Sequence, residues 1–336
     1  MTQNTVADTD YDVAIVGGGP AGVACAISVV TEGPSVVILD EKGPGGQVAT
    51  SSLIENVFGI PVGGLTGVQL MGRGIDQAHA FGTRFNSPFR AVRIVQDPAT
   101  KIFTVVATSR KKVTAKAVVL TLGASARHLE AQGIEQYLNR GVAYGSPQYQ
   151  VPKQWEGKRV GLVGGGNSAG QAALFLSNCI DCQVNVFVRG EGLEGDMSKY
   201  LFDRVNHARN ITVHSHSTLR EVRGTPEAMT HVVLTQREKL AEYELDYLLI
   251  SIGAEPQTGW LEGTVALDDK GYILSDRDLP PNAWTENRPY FRYETSQPGV
   301  FTGGDVHSGS PNRMSCAVGE GHALAISVYK YLMYME

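Results

Sequence analysis

A chain of 336 residues, 42% of them hydrophobic, is long enough for two ordinary domains with cores of their own. Its 29 basic and 34 acidic residues leave a net charge of −5, and without a basic run that balance makes the chain a poor candidate for binding nucleic acid or anionic membrane. The polar start MTQNTVADTD, the lack of any apolar run near the ~18 residues of a membrane span, and only four scattered cysteines fit a soluble cytoplasmic protein.

Residues 12–16 form an apolar run that reads as a buried strand, and AGVACAISVV reads as the helix after it. Between them Gly17, Gly19 and Gly22 spell G-x-G-x-x-G. Gly17 permits the tight turn, Gly19 lets the backbone approach a pyrophosphate, and Gly22 lets helix and strand pack closely. The helix N-terminus faces the phosphates. A second strand, VVIL at 36–39, ends at Asp40 and Glu41, either of which can bind ribose hydroxyls. Alone the glycine pattern is weak; with both strands, the helix and the acid it marks a dinucleotide site. Cys25, on this first helix, reads as a small packing residue.

The pattern returns in KRVGLVGGGNSAGQAALFLSNCIDCQVNVFVRG, where Gly164, Gly166 and Ala169 give the G-x-G-x-x-A form. The strand RVGLV precedes it, a helix runs to about Asn178, and the strand QVNVFV leads to Arg189, not to an acid. Arginine there could accept an NADP 2′-phosphate. Gly190, Glu191 and Glu194 follow, and two carboxylates repel a phosphate, so NADP specificity is not expected. The far end of the helix holds Cys179 and Cys182 in a C-x-x-C spacing, roughly 15 Å from the phosphates at ~1.5 Å per residue. A helix C-terminus and Asp181 both disfavour a thiolate there, although a stable disulfide remains compatible. Dithiol and plain turn both stay open. Near the end of the chain, TSQPGVFTGGDV is a strand entering a Gly-Gly-Asp turn, and residues 315–332 read as a last helix.

Two glycine loops, a Gly-Asp turn and a last helix resemble the two-dinucleotide flavoproteins, and more narrowly the low-molecular-weight thioredoxin reductases. The matching segments run over nearly the whole chain: GGGPAG, GPGGQ (43–47), IENVFGIP (54–61), TLGASAR (121–127), GGGNSA (164–169), ISIGAEPQT (250–258) and PGVFTGGD (298–305). The resemblance implies an α/β fold of two Rossmann-like domains, the second inserted in the first, with segments 1–128, 129–258 and 259–336. It implies FAD on the first domain. By position Gly17, Gly19 and Gly22 hold its pyrophosphate, Asp40 or Glu41 its ribose, and Gly46, Gln47, Asn56 and Gly123 approach the flavin. Asp305 meets the ribityl–phosphate region, and Ser315 and Cys316 face the pyrimidine end of the ring. Gly164, Gly166, Asn167, Ser168, Ala169 and Arg189 receive a second dinucleotide. A homodimer is implied as well; no metal is.

The pattern breaks at both electron ports. Thioredoxin reductases carry a redox Cys-x-x-Cys just before the second loop, where this chain reads VAYGSPQYQ, with Gly145 and Gln148 at the thiol positions. Of the arginine-rich NADPH signature only Arg189 survives. A glycine loop recognises only the ADP half of its ligand, so the second loop takes FAD or NAD(P)H equally. This combination resembles the cyanobacterial diflavin-linked disulfide oxidoreductases, which implies a second FAD and makes Cys179–Cys182 the candidate redox disulfide. The expected activity is electron transfer between bound flavin and a thiol/disulfide or small electron-carrier partner. Two alternatives stand beside it, an NAD(P)H-dependent flavin or ferredoxin reductase and a flavin-bound redox sensor without turnover. His128, His307 and His322 are candidate proton donors near the flavin, each read as structural.

Overall fold

The computed structural model describes residues 9–51, 53–145, 155–280, 283 and 288–335. The chain divides into two compact units. Unit 1 is Met1–Ala49, Asn56–Ser125 and Glu255–Glu336; unit 2 is Thr50–Glu55 and Ala126–Ala254. The divisions fall a few residues ahead of 128/129 and 258/259, because the chain changes unit in the short strands β7 (Ser125–Ala126) and β16 (Ala254–Glu255), within the segments TLGASAR and ISIGAEPQT. Thr50–Glu55 clusters with unit 2, which no sequence signal announced.

Unit 1 begins β1 (Tyr11–Val16), α1 (Pro20–Thr31) and β2 (Val36–Leu39), then α2 (Gly67–Ala80), β3 (Arg84–Asn86), β4 (Ala91–Gln96), β5 (Phe103–Ala107) and β6 (Lys112–Leu120). The chain leaves through β7 (Ser125–Ala126). Strands β3, β2, β1 and β6 lie side by side in parallel, with Ala14 opposite Val37 on one edge and Val118 on the other. The runs VAIV, VVIL and AVVL are buried throughout, as a parallel sheet covered on both faces requires. Alternate residues feed two cores: Val13, Ile15, Ile38 and Val119 on one face, Ala14, Val16, Val118 and Leu120 on the other.

Unit 2 holds α3 (Ile134–Tyr137), β8 (Val142–Tyr144), β9 (Arg159–Val163), α4 (Asn167–Ile180), β10 (Gln183–Phe187), α5 (Lys199–His207) and β11 (Ile211–His214). Then come β12 (Ser217–Gly224), β13 (Met229–Gln236), β14 (Lys239–Glu244) and β15 (Tyr247–Ile250), before β16 (Ala254–Glu255) carries the chain back. A parallel sheet in the order β11-β10-β9-β15-β8 repeats the plan of unit 1, and β12-β13-β14 form a separate antiparallel sheet. α4 runs past the expected Asn178 to Ile180. Asp181 ends it in the left-handed region, φ 53°, and Cys182 N–H returns to Leu176 O at 3.0 Å.

Unit 1 is completed by β17 (Val300–Thr302) and α6 (Met314–Met335). β17 pairs in parallel with the last residues of β6, whose first half is already taken by antiparallel β5. α6 lies against α1 at close range: a Cβ on Gly321 would stand 2.3 Å from Ala21 O. Among the described residues no helix is long and apolar enough to cross a membrane, and no side-chain cluster could hold a metal ion.

Candidate dinucleotide sites

In unit 1 every loop of interest lies at the carboxyl ends of the parallel strands, where open α/β sheets bind ligands. Gly17 leaves β1 at φ 109°, its N–H donating to Leu39 O at 2.9 Å. The glycines then divide the work. A Cβ on Gly17 would strike Thr121 O at 2.2 Å, and one on Gly22 would strike Gly17 O at 2.1 Å. Those two are required by the protein itself. A Cβ on Gly19 meets nothing closer than Gly46 Cα at 3.9 Å, so that face is open and bare backbone is presented to it. Gly19 is also the N-cap of α1, with Pro20 next, so the unpaired N–H groups of the first turn begin there.

Asp40 braces this loop. Its Oδ2 accepts Gly18 N–H at 2.7 Å, and its Oδ1 accepts Lys42 N–H at 3.0 Å and Gly43 N–H at 2.8 Å. Three of roughly four acceptor positions are thus taken by the backbone. Glu41 is exposed, with Arg90 3.8 Å away. Gly46 approaches Gly19 closely, and Gln47 Nε2 donates to Ala124 O, tying the 45–47 turn to the loop after β6. Gly123 in that loop has φ 64°. Asn56 is exposed on an irregular segment.

The turn after β17 brings the third wall. Gly304 carries its missing Cβ 2.9 Å from Ala21 Cβ at the start of α1, which sets Asp305 beside the first glycine loop. Asp305 Oδ1 is buried with no hydrogen-bond partner, and burial, aided by the Glu320 carboxylate, holds its carboxyl above the usual 3.8. Glu320 accepts Gly304 N–H at 2.7 Å and lies 3.7 Å from His307 Nδ1, while His307 Nε2 meets Ser275 Oγ at 3.0 Å. Thr121 and Glu320, which serve backbone shape, carry no signal in the sequence. Ser315 is exposed and Cys316 half-buried in the first turn of α6, and Cys25 is fully buried, its thiol pushed up to about 12 by that burial. His322 bonds Ser28 across the helix pair at 2.6 Å, and His128 packs against the Tyr144 ring. An open glycine face, a helix N-terminus and a buried acceptor waiting for a hydroxyl fit the pyrophosphate and sugar chain of FAD.

The loop of unit 2 has the same division of labour. A Cβ on Gly164 would strike Ser251 O at 2.0 Å, Gly166 meets only Asp196 O at 3.8 Å, and Ala169 is packed in the core. Ser168 is exposed; Asn167 Oδ1 accepts Ser198 N–H at 2.7 Å, anchoring the segment before α5. Arg189 is exposed just past β10 and lines a cleft of about 470 Å³ with His216, Arg237 and Glu238. The sequence did not show that His216 and Arg237 lie beside Arg189.

Cys182 is buried, and its Sγ donates to Trp155 O at 3.1 Å. Burial, then Asp181 and Asp246, push its thiol up to about 11. The Cys179 side chain lies outside the described residues, as does Gln148; Gly145 has φ 89°.

The family described as "Pyridine nucleotide-disulphide oxidoreductase" matches residues 11–321. The chain is 31% identical to NADPH-dependent thioredoxin reductase 3 of Arabidopsis thaliana over 96% of its own length and 58% of that protein's. It is 30% identical to the NADH dehydrogenase of Bacillus subtilis (strain 168), over 96% of this chain and 59% of that one. It therefore spans less than two thirds of these curated relatives. The thioredoxin reductase of T. acidophilum superposes with a TM-score of 0.84 at 29% identity, covering 96% of this chain and 99% of that one.

Proposed function

Since the chain belongs to the pyridine nucleotide-disulphide oxidoreductase family and has the thioredoxin reductase-like fold, we propose that it is an FAD-dependent disulfide oxidoreductase. FAD would sit on unit 1 and a second dinucleotide on unit 2. The observation that carries the reading is the open face of Gly19 with the unpartnered Asp305 Oδ1 beside it. Bound FAD supplies two-electron chemistry, and a disulfide taking two electrons and two protons becomes two thiols.

The residues divide as follows. Gly19 and the first turn of α1 receive the pyrophosphate. Glu41 takes the ribose, because Asp40 is occupied by three backbone N–H groups. Asp305 accepts a hydroxyl of the sugar chain. Gln47, Asn56 and Gly123 approach the flavin, with Ser315 and Cys316 at its pyrimidine end. Gly166 and the start of α4 receive the ADP half of the second dinucleotide. The diflavin resemblance argues for a second FAD there; the family's pyridine-nucleotide chemistry and the arginines beside the loop argue for NAD(P)H, which we favour. The purified protein should hold one FAD per chain. Two per chain would restore the second-FAD reading.

The thiol position occupied by Gly145 favours an electron exit outside this chain's own cysteines. The raised Cys182 thiol supports a packing role at the turn, where dithiol attack needs a thiolate. Thiol counting under denaturing, non-reducing conditions tests the pair: two titratable thiols would support a Cys179–Cys182 disulfide, and four would support two turn cysteines. The same observation gives weight to a second reading, an NAD(P)H-dependent reductase of a small electron carrier. Turnover with ferricyanide but not with a disulfide such as dithiobis-nitrobenzoate would select it. A cytoplasmic homodimer is part of the proposal, and a solution mass near twice 36.1 kDa tests the dimer.

A further inference from the structure

We propose that His307 is a positioning residue of the flavin site, whose proton supplies the countercharge to the Asp305 and Glu320 carboxylates and so ties FAD binding to pH. It rests on the reading of unit 1 as the FAD cradle, and every side chain involved lies inside that unit.

Three segments build the cluster. Glu320 reaches back from α6, its Oε2 accepting Gly304 N–H at 2.7 Å and lying 3.7 Å from His307 Nδ1. His307 N–H donates to Gly304 O at 3.0 Å, so the imidazole hangs from the turn that also presents Asp305. On its far side Nε2 lies 3.0 Å from Ser275 Oγ, and Ser275 is fully buried. Two polar atoms of this turn are buried with no hydrogen-bond partner, Asp305 Oδ1 and His307 Nδ1. The proposed function gives the first a sugar hydroxyl and leaves the second unused.

The charges around the imidazole do not balance. Among the described residues neither Asp305 nor Glu320 has a lysine or arginine partner, and His307 is the basic side chain they face. α1, whose start would receive the pyrophosphate, contains no charged residue, and Arg313 ahead of α6 is exposed. Tyr293 sets its ring edge-on to His307 at 6.0 Å, and burial pushes its phenol above the usual range, with Arg292 opposing and Glu320 and Asp276 adding to the effect. Asp268 is taken by Ser308 Oγ at 2.8 Å and by the N–H groups of Lys270 and Tyr272 at 2.9 Å. An imidazolium carries N–H on both nitrogens, one for Ser275 Oγ and one turned toward Glu320. FAD strengthens the need for it. A hydroxyl donated to Asp305 holds that group as carboxylate, beside a second carboxylate and a pyrophosphate dianion, which favours a proton taken from solvent. The three groups titrate as one cluster. The complex holds this proton more tightly than the apoprotein, so affinity is lost as pH rises through the imidazole range. It is lost again in acid, where Asp305 itself takes a proton.

Isothermal titration of FAD into apoprotein, at about pH 6 and about pH 8 and in buffers of different ionisation enthalpy, tests this. Wild-type protein should bind about tenfold more tightly at the lower pH and take up a net fraction of a proton per FAD. His307→Gln, which can still donate to Ser275 but carries no charge, should bind equally at both and take up none. Glu320→Gln keeps an acceptor for Gly304 N–H and should bind at the higher pH more tightly than wild type. Should His307→Gln fail to fold, Glu320→Gln decides alone, since a wild-type profile in it overturns the pairing. A wild-type affinity that ignores pH overturns the proposal and leaves the FAD cradle standing. A pH dependence that persists in His307→Gln overturns the role of His307. Wild-type protein that binds no FAD at either pH overturns the cradle, and the proposal with it.

Discussion

Gly19 and Gly22 stand in one loop and answer opposite demands. The Cβ of Gly22→Ala would collide with a backbone oxygen, so it should destabilise the fold by about 3 kcal/mol, read as a lowered urea midpoint. Gly19→Val should leave that midpoint unchanged and abolish FAD retention, because its side chain fills only the space kept for the ligand. A Gly19→Val protein that still purifies yellow refutes the cofactor assignment. Asp305 gives a second split. Its folded carboxyl titrates above 3.8, so the folded apoprotein holds that proton more tightly than the unfolded chain. The associated stability is fully present below the unfolded value and is lost as pH rises through the folded one. Asp305→Asn should therefore raise the apoprotein Tm at neutral pH and flatten this pH dependence. The same change should weaken FAD about 10- to 100-fold, since a hydrogen bond to a charged acceptor is worth about 1.5–3 kcal/mol. Asp40 shows where residue-level reading stops. An acid after β2 is the same letter whether it binds a ribose or braces a loop, and only the three N–H distances separate the two.

Elements were legible wherever their cause is local. β2 and β9 follow the apolar runs VVIL and RVGLV residue for residue, and α1 begins at the proline after its glycine cap. The place of the β13–β14 turn beside Arg189 was not legible, because tertiary hydrogen bonds through His216 bring it there. The α1–α6 crossing was also hidden, since a helix glycine reads alike at a contact and in water. Gly321→Ala should push the helices apart, cost about 1–3 kcal/mol, and weaken FAD by shifting the first turn of α1. Gly319 sits on the same helix with nothing within 4 Å, so Gly319→Ala should stabilise the apoprotein by about 0.5–1 kcal/mol. Thermal melts of the pair decide it. Similar gains in both would mean that helix propensity, not contact, sets the role of Gly321.

At the scale of the whole molecule, the chain divides into two units, each with its own core clusters and its own glycine loop. Unfolding need not be two-state in such a chain. Scanning calorimetry of the apoprotein should show two transitions. FAD should move one, by about 2.7 kcal/mol at a hundredfold excess over Kd, and NAD(P)H the other. A single transition moved equally by both ligands would mean that the units melt together.

The pairing of β17 with β6 also sets an order of events during synthesis. Val119 faces Phe301 in that ladder, and Leu120 O accepts from the Thr302 hydroxyl across 182 positions of sequence. A ribosome adding ~5–20 residues per second needs roughly 10–35 s between the two strands. Residues 126–254, the bulk of unit 2, emerge in that interval, while the second half of β6 waits as an open, wholly apolar edge. Asp305 and α6 arrive only after it closes. The proposed flavin site would be completed last, so a stalled or clipped nascent chain should leave a folded unit 2 and a colourless, aggregation-prone remainder.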